Sequence, residues 1–142
     1  MAIYSISRRT TNVTSGAAAH TIYTGATERA ALLEAGIFMA AATASTYGLG
    51  RPAAAGATPT SPVVLEAEDP ANTASLVNSA LAWGTSPTSP TQTLRRWASP
   101  ATIGTGVIFT FPRGIIIAIS SNFVLQNLAT NGVCDSYYTI DE

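Results

Sequence analysis

The chain contains no lysine. All seven of its basic residues are arginine; with eight acidic residues and a neutral histidine, the formal net charge is −1. A phosphate-cradling loop of the Walker type needs a lysine and is excluded. So small a positive charge leaves no basic field to hold nucleic acid. Charged residues of either sign are scarce as well, at 11% of the 142 residues, against the ~25% usual in soluble domains. A surface this poor in charge is expected to be covered by a partner or tiled by copies of itself. Arginine suits that role better than lysine, because its guanidinium is more weakly hydrated and grips carboxylates in a fork. A drifted codon bias would leave the same mark.

The single cysteine, Cys134, rules out an internal disulfide and reads as a small apolar core residue. One histidine, His20, far in sequence from that cysteine, does not supply a zinc set, and nothing local marks a nucleophile elbow. Neither a metal nor another cofactor is therefore expected, and no catalytic residue is assigned. His20 reads as a satisfied structural histidine. Gly48-Leu49-Gly50 lacks the third glycine of a dinucleotide fingerprint, and Pro52 follows it. The longest apolar run, 30–44, contains Glu34 and is too short and alanine-rich to span a bilayer. Met1 to Thr11 has no apolar core of a secretion signal, so a soluble chain that folds in the cytoplasm is expected.

What the sequence does have is short β patterns between clear turns. In the last forty residues Val107, Phe109 and Phe111 alternate with Ile108 and Thr110. Pro112-Arg113-Gly114 then predicts a break, and Ile115 to Ile119 a strand buried on both faces. Phe123 to Leu128 predicts another strand. Asn131-Gly132 predicts a tight hairpin turn, and Val133 to Ile140 a closing strand with Cys134, Tyr138 and Ile140 on one face. Upstream, strands are expected at Ile3 to Ser7, Ala18 to Thr24, Pro62 to Glu66, Ala74 to Trp83 and Thr93 to Ala98. The segment 27–45 reads as a helical turn at Thr27 to Ala30, followed by a long strand to about Thr43. Thr46 to Pro62 and Gly84 to Thr91 read as Pro- and Gly-rich loops. The expected fold is one all-β domain over 1–142, a jelly-roll-like antiparallel β-sandwich of about eight to ten short strands with little helix. Residues 1–16 are offered as an N-terminal arm.

The candidate site residues are therefore contact residues. Arg8-Arg9 and Arg95-Arg96 put one guanidinium on each face of a strand, where one of each pair can meet a neighbour's Glu66, Glu68 or Asp135, or the closing Asp141-Glu142. Glu66, Glu68 and Asp69 form an acidic cluster that reads as a solvated strand end or an arginine partner ahead of a weak Ca²⁺ site. Arg51, beside the first loop, completes the set. Trp83, Trp97, Tyr137 and Tyr138 are expected in the core or at its rim ahead of any sugar-stacking role.

Four stretches carry a resemblance. They are Ala-Ala-Ala-Thr-Ala-Ser-Thr-Tyr-Gly-Leu-Gly-Arg-Pro at 40–52, Thr-Pro-Thr-Ser-Pro-Val at 58–63, the run from Pro100 to Gly114, and the closing Asn-Leu-Ala-Thr-Asn-Gly-Val with the final Asp-Glu. Together they resemble small virion structural proteins of tailed bacteriophages. The aromatic-Pro-Arg-Gly turn before an isoleucine-rich strand is similar to jelly-roll decoration, or cement, proteins of capsids. The resemblance implies a protein of the virion's capsid surface, made in the host cytoplasm. It would bind the major capsid protein lattice as an oligomer, a homotrimer, and stabilise the head, without nucleic acid, membrane or small-molecule partners. The alternative it leaves is a tail, baseplate or fibre component, with possible contact to host carbohydrate.

Overall fold

A computed structural model describes residues 2–11, 14–129 and 132–142. Met1, Asn12, Val13, Thr130 and Asn131 fall outside it, and with them half of the predicted Asn131-Gly132 turn. The described residues contain thirteen strands in three antiparallel sheets and no helix. The strands are β1 (Ile3–Arg9), β2 (Ala18–Tyr23), β3 (Ala30–Met39), β4 (Ser45–Gly50), β5 (Ala57–Thr60), β6 (Val63–Val64), β7 (Glu66–Ala67), β8 (Asn78–Ala80), β9 (Ala82–Thr85), β10 (Arg95–Ser99), β11 (Gly106–Ile117), β12 (Asn122–Asn127) and β13 (Cys134–Asp141). One sheet runs β11-β3-β13-β1-β7 and the second β10-β4-β12-β2-β8-β6, while β5 and β9 pair by themselves.

The core lies between the two large sheets. Ile6, Leu32, Ala35, Ile37, Tyr138 and Ile140 of the first face Ile22, Tyr47, Leu49, Phe123 and Leu125 of the second, all in one buried cluster. Alternation produces this directly: in β13, Cys134, Ser136, Tyr138 and Ile140 point inward while Asp135, Tyr137 and Thr139 point out. Each large aliphatic side chain buried here contributes roughly 1.5–3 kcal/mol of transfer free energy. β12 is buried along its whole length, Asn122 to Asn127, because it is central in its sheet, between β4 and β2. Polar groups inside the sandwich are tied across it. The Tyr138 hydroxyl donates to the His20 carbonyl at 3.1 Å, and the Tyr47 hydroxyl donates to the Gly132 carbonyl.

Several expectations are corrected. No helical turn forms at Thr27 to Ala30. The Glu28 carboxylate instead accepts from the Gly25 amide and from the Thr27 hydroxyl, which closes a bend before β3. The long strand ends at Met39 rather than near Thr43. Thr46 to Pro62 is not one loop: it holds most of β4, all of β5, and bends between them. Glycine disfavours a strand only weakly, and β4 is paired on both edges, to β10 and β12, so pairing overrides the local preference. Pro59 is tolerated because β5 has a single partner, β9, and needs no amide on its free side. The predicted strand from Ala74 to Trp83 is two, β8 and β9, in different sheets. Such short pieces take the count past the expected eight to ten.

Two corrections bear on function. Pro112-Arg113-Gly114 does not end a strand. It is a bulge inside β11, whose register against β3 jumps between Thr110 and Ile115. Gly114 sits at φ 65°, where a side chain would be strained. The strand beyond the bulge is not buried on both faces either. Ile117 points into the core, but Ile116 is 47% exposed and Ile119, just past the strand, 51%. β11 is an edge strand, and its outward-facing Ile108 is 52% exposed. Ile3–Arg9, part of the stretch offered as an arm, forms β1, held between β13 and β7.

Candidate functional site

The single histidine and the single cysteine are both sealed inside. His20 is fully buried in β2, with Nδ1 2.7 Å from the Ser136 hydroxyl and Nε2 2.8 Å from the Ser79 hydroxyl. Its ring lies against Tyr138, centroids 4.7 Å apart. Burial, and then the charge of Arg8, push the imidazole pKa down to about 3, so the ring is neutral at physiological pH. Cys134 is buried beside the Thr10 hydroxyl, and desolvation raises its thiol above the ordinary value. Among the described residues no group of three His, Cys, Asp or Glu side chains is placed to hold a metal ion, and no helix is long and apolar enough to cross a membrane.

The surface is organised at the two ends of the sandwich. At one end both large sheets stop on neighbouring edge strands, β10 and β11. Between them runs an open groove of about 660 Å³, lined by Arg51, Arg95 and Arg113 around Leu94, Phe111 and Ile116 among others. The Arg95 guanidinium sits 5.3 Å from the centre of the Phe111 ring, a cation–π distance, and also donates to the Leu94 carbonyl at 2.8 Å. Arg51, just past the end of β4, donates to the Ile116 carbonyl at 2.8 Å. Among the described residues no carboxylate lies within ion-pair distance of these three arginines. At the other end the sheets stop on β7 and β6, consecutive strands joined by the buried Leu65. Glu66, Glu68 and Asp69 lie there, beside the exposed Val63, Val64 and Leu76.

The predicted contact residues thus fall into separate places. Arg51 and Arg95 come together. Arg96 projects from the opposite face of β10 to Arg95 and has no described partner. Arg9 is spent within the chain, where it makes a forked pair with Asp135 across β1 and β13, at 2.7 and 2.8 Å. Its guanidinium holds the Asp135 carboxyl below the usual carboxylate range. Arg8 is partly buried and leans toward the Ser79 carbonyl at 3.4 Å. Glu142 is likewise engaged, accepting from the Ser75 hydroxyl and the Leu76 amide. Glu66, Glu68 and Asp69 are together; Glu68 accepts from the Ser5 hydroxyl and Asp69 from the Ala71 amide, and none of the three meets an arginine. Sequence reasoning missed Arg113, Leu94 and Ile116. The signal was present in the aromatic-Pro-Arg-Gly turn, whose arginine a bulge projects beside the groove.

No family model, curated protein or solved structure matches this chain. The resemblance to tailed-phage proteins has no such relative behind it. Without one, the labels bacteriophage, virion, capsid and decoration protein are withdrawn as a classification. The finding that stands is an all-β antiparallel chain, without helix among its described residues.

Proposed function

We propose that this chain is a structural, non-catalytic protein that works by lying against other proteins and bridging the subunits of a larger assembly. The observation that carries this reading is the contrast between inside and outside. His20 and Cys134 are sealed in the core, while arginines with no carboxylate partner among the described residues and exposed isoleucines crowd the β10–β11 end. Side chains of that kind contribute most when another protein desolvates them.

Strand order supports the finer proposal that the sandwich is a jelly roll. The eight strands of five residues or more divide as β11-β3-β13-β1 and β10-β4-β12-β2. The chain changes sheet at every step through these eight except from β4 to β10, the doubly wound course of a jelly roll. The lattice proposed for the test is that of a major capsid protein, which the chain would reach as an oligomer after its synthesis in a host cytoplasm. Purified chain would be added to empty heads assembled from a tailed-phage major capsid protein, and the bound copies counted after sedimentation. Saturable binding at hundreds of copies per head, with a raised temperature of head rupture, is expected. No co-sedimentation would overturn the lattice. On whole purified virions, a count of only a few to a few dozen copies per particle would move the chain to the tail.

A further inference from the structure

The two ends of the sandwich are complementary to each other. We propose that copies of this chain associate head to tail, the β10–β11 end of one copy receiving the β6–β7 end of the next. This goes beyond the lattice reading and needs no lattice to be tested.

Three observations carry it. The first is charge: Arg51, Arg95 and Arg113 gather at one end, Glu66, Glu68 and Asp69 at the other, and among the described residues neither set meets a group of opposite charge. The second is that one copy cannot close the contact on itself. β11 and β7 are opposite edges of a five-stranded sheet, and β10 and β6 opposite edges of a six-stranded one. Four strand spacings of ~4.8 Å put the first pair roughly 19 Å apart, far beyond an ion pair. The third is that each end also exposes aliphatic surface: Leu94 and Ile116 beside the arginines, Val63, Val64 and Leu76 beside the carboxylates. Leu76 is 58% exposed, and a second copy supplies the apolar partner that its own fold withholds.

The geometry fits side-chain docking with only short strand contact. The Pro112–Gly114 bulge interrupts the free edge of β11, and β6 and β7 are two residues each, so neither end offers a long ladder. An arginine-lined groove with an aromatic and aliphatic floor takes carboxylates at its rim and apolar side chains at its base. Because the contact joins two different surfaces, it closes into a ring if the rotation between copies permits and otherwise grows as a filament.

The test is a charge swap read by sedimentation velocity on the whole chain. Wild type should associate, and more weakly at high salt, because exposed charges are screened. Arg95→Glu with Arg113→Glu, and separately Glu66→Arg with Glu68→Arg, should each weaken association by about tenfold or more. Mixing the two variants should restore it, since the altered end of one then faces the altered end of the other with opposite charge. All these residues are exposed, so each variant should keep the wild-type circular dichroism and a cooperative unfolding transition, compared at a concentration low enough that wild type and variants are all monomeric. Three results would overturn the proposal: a monomeric wild type, association that survives both reversals, or variants that fold but fail to recover when mixed. The co-sedimentation assay with capsid heads is a separate readout, so the head-to-tail contact and the lattice reading can fail independently.

Discussion

Lowering the pH from 7 to 5 should cost this fold about 2 kcal/mol through His20. In the folded chain the imidazole is enclosed by Ser79, Ser136 and Tyr138, with Arg8 nearby, and its pKa lies near 3. In the unfolded chain it returns to about 6.5. Below that value the unfolded state binds a proton that the folded state refuses, so stability falls as pH falls. The contribution is whole above pH 6.5 and is lost progressively toward pH 3. At about 1.36 kcal/mol per pH unit, the loss is ~2 kcal/mol at pH 5 and ~3 kcal/mol at pH 4. Glu28 and Asp135, whose carboxyls are held low by the Gly25 amide and by Arg9, give up their contributions only within and below the ordinary carboxylate range. The window from pH 7 to pH 5 is therefore governed by the histidine. The assay is urea unfolding at pH 7, 6 and 5 and one fixed protein concentration, since self-association would make stability depend on concentration. His20→Gln should start less stable, because two buried serine hydroxyls lose a partner, but its stability should be flat across that window. A wild type insensitive to pH between 7 and 5, or a glutamine variant that keeps the slope, would refute the reasoning.

Three further outcomes are expected. Gly36→Ala should destabilise by about 1–3 kcal/mol in the same urea assay, because the Tyr137 ring lies directly over Gly36 on the neighbouring strand and an added methyl would collide with it. Leu32→Ala should cost about 2–5 kcal/mol, since Leu32 is fully buried between the sheets and its loss leaves a cavity. A thiol reagent should leave Cys134 unmodified in native protein and react on unfolding, because the thiol is buried and its pKa raised; rapid labelling under native conditions would show that strands β13 and β3 part readily.

Much of the fold was legible because a strand announces its two faces locally. Val107, Phe109 and Phe111 point inward and Ile108 outward, as their alternation required. The same holds for Cys134, Tyr138 and Ile140 in β13. Legibility failed where pairing decides. Nothing near Gly48 says that β4 is held on both sides, and nothing within Ile115 to Ile119 says that β11 has a neighbour on one side only. A continuous apolar run is the pattern of a strand covered on both faces, and here an uncovered one wears it. Arg9 and Arg95 look alike in sequence, each in a pair of arginines on a strand. One finds Asp135 across its own sheet, and the other finds no carboxylate among the described residues.

The class of fold was already written in the sequence, as strand periods from end to end. Which edges stay open, and which charges go without a partner among the described residues, was settled by how the strands assemble. Both depend on partners such as Asp135 for Arg9, more than a hundred residues along the chain, and the side-chain alternation of a strand carries no information about which strand will lie beside it.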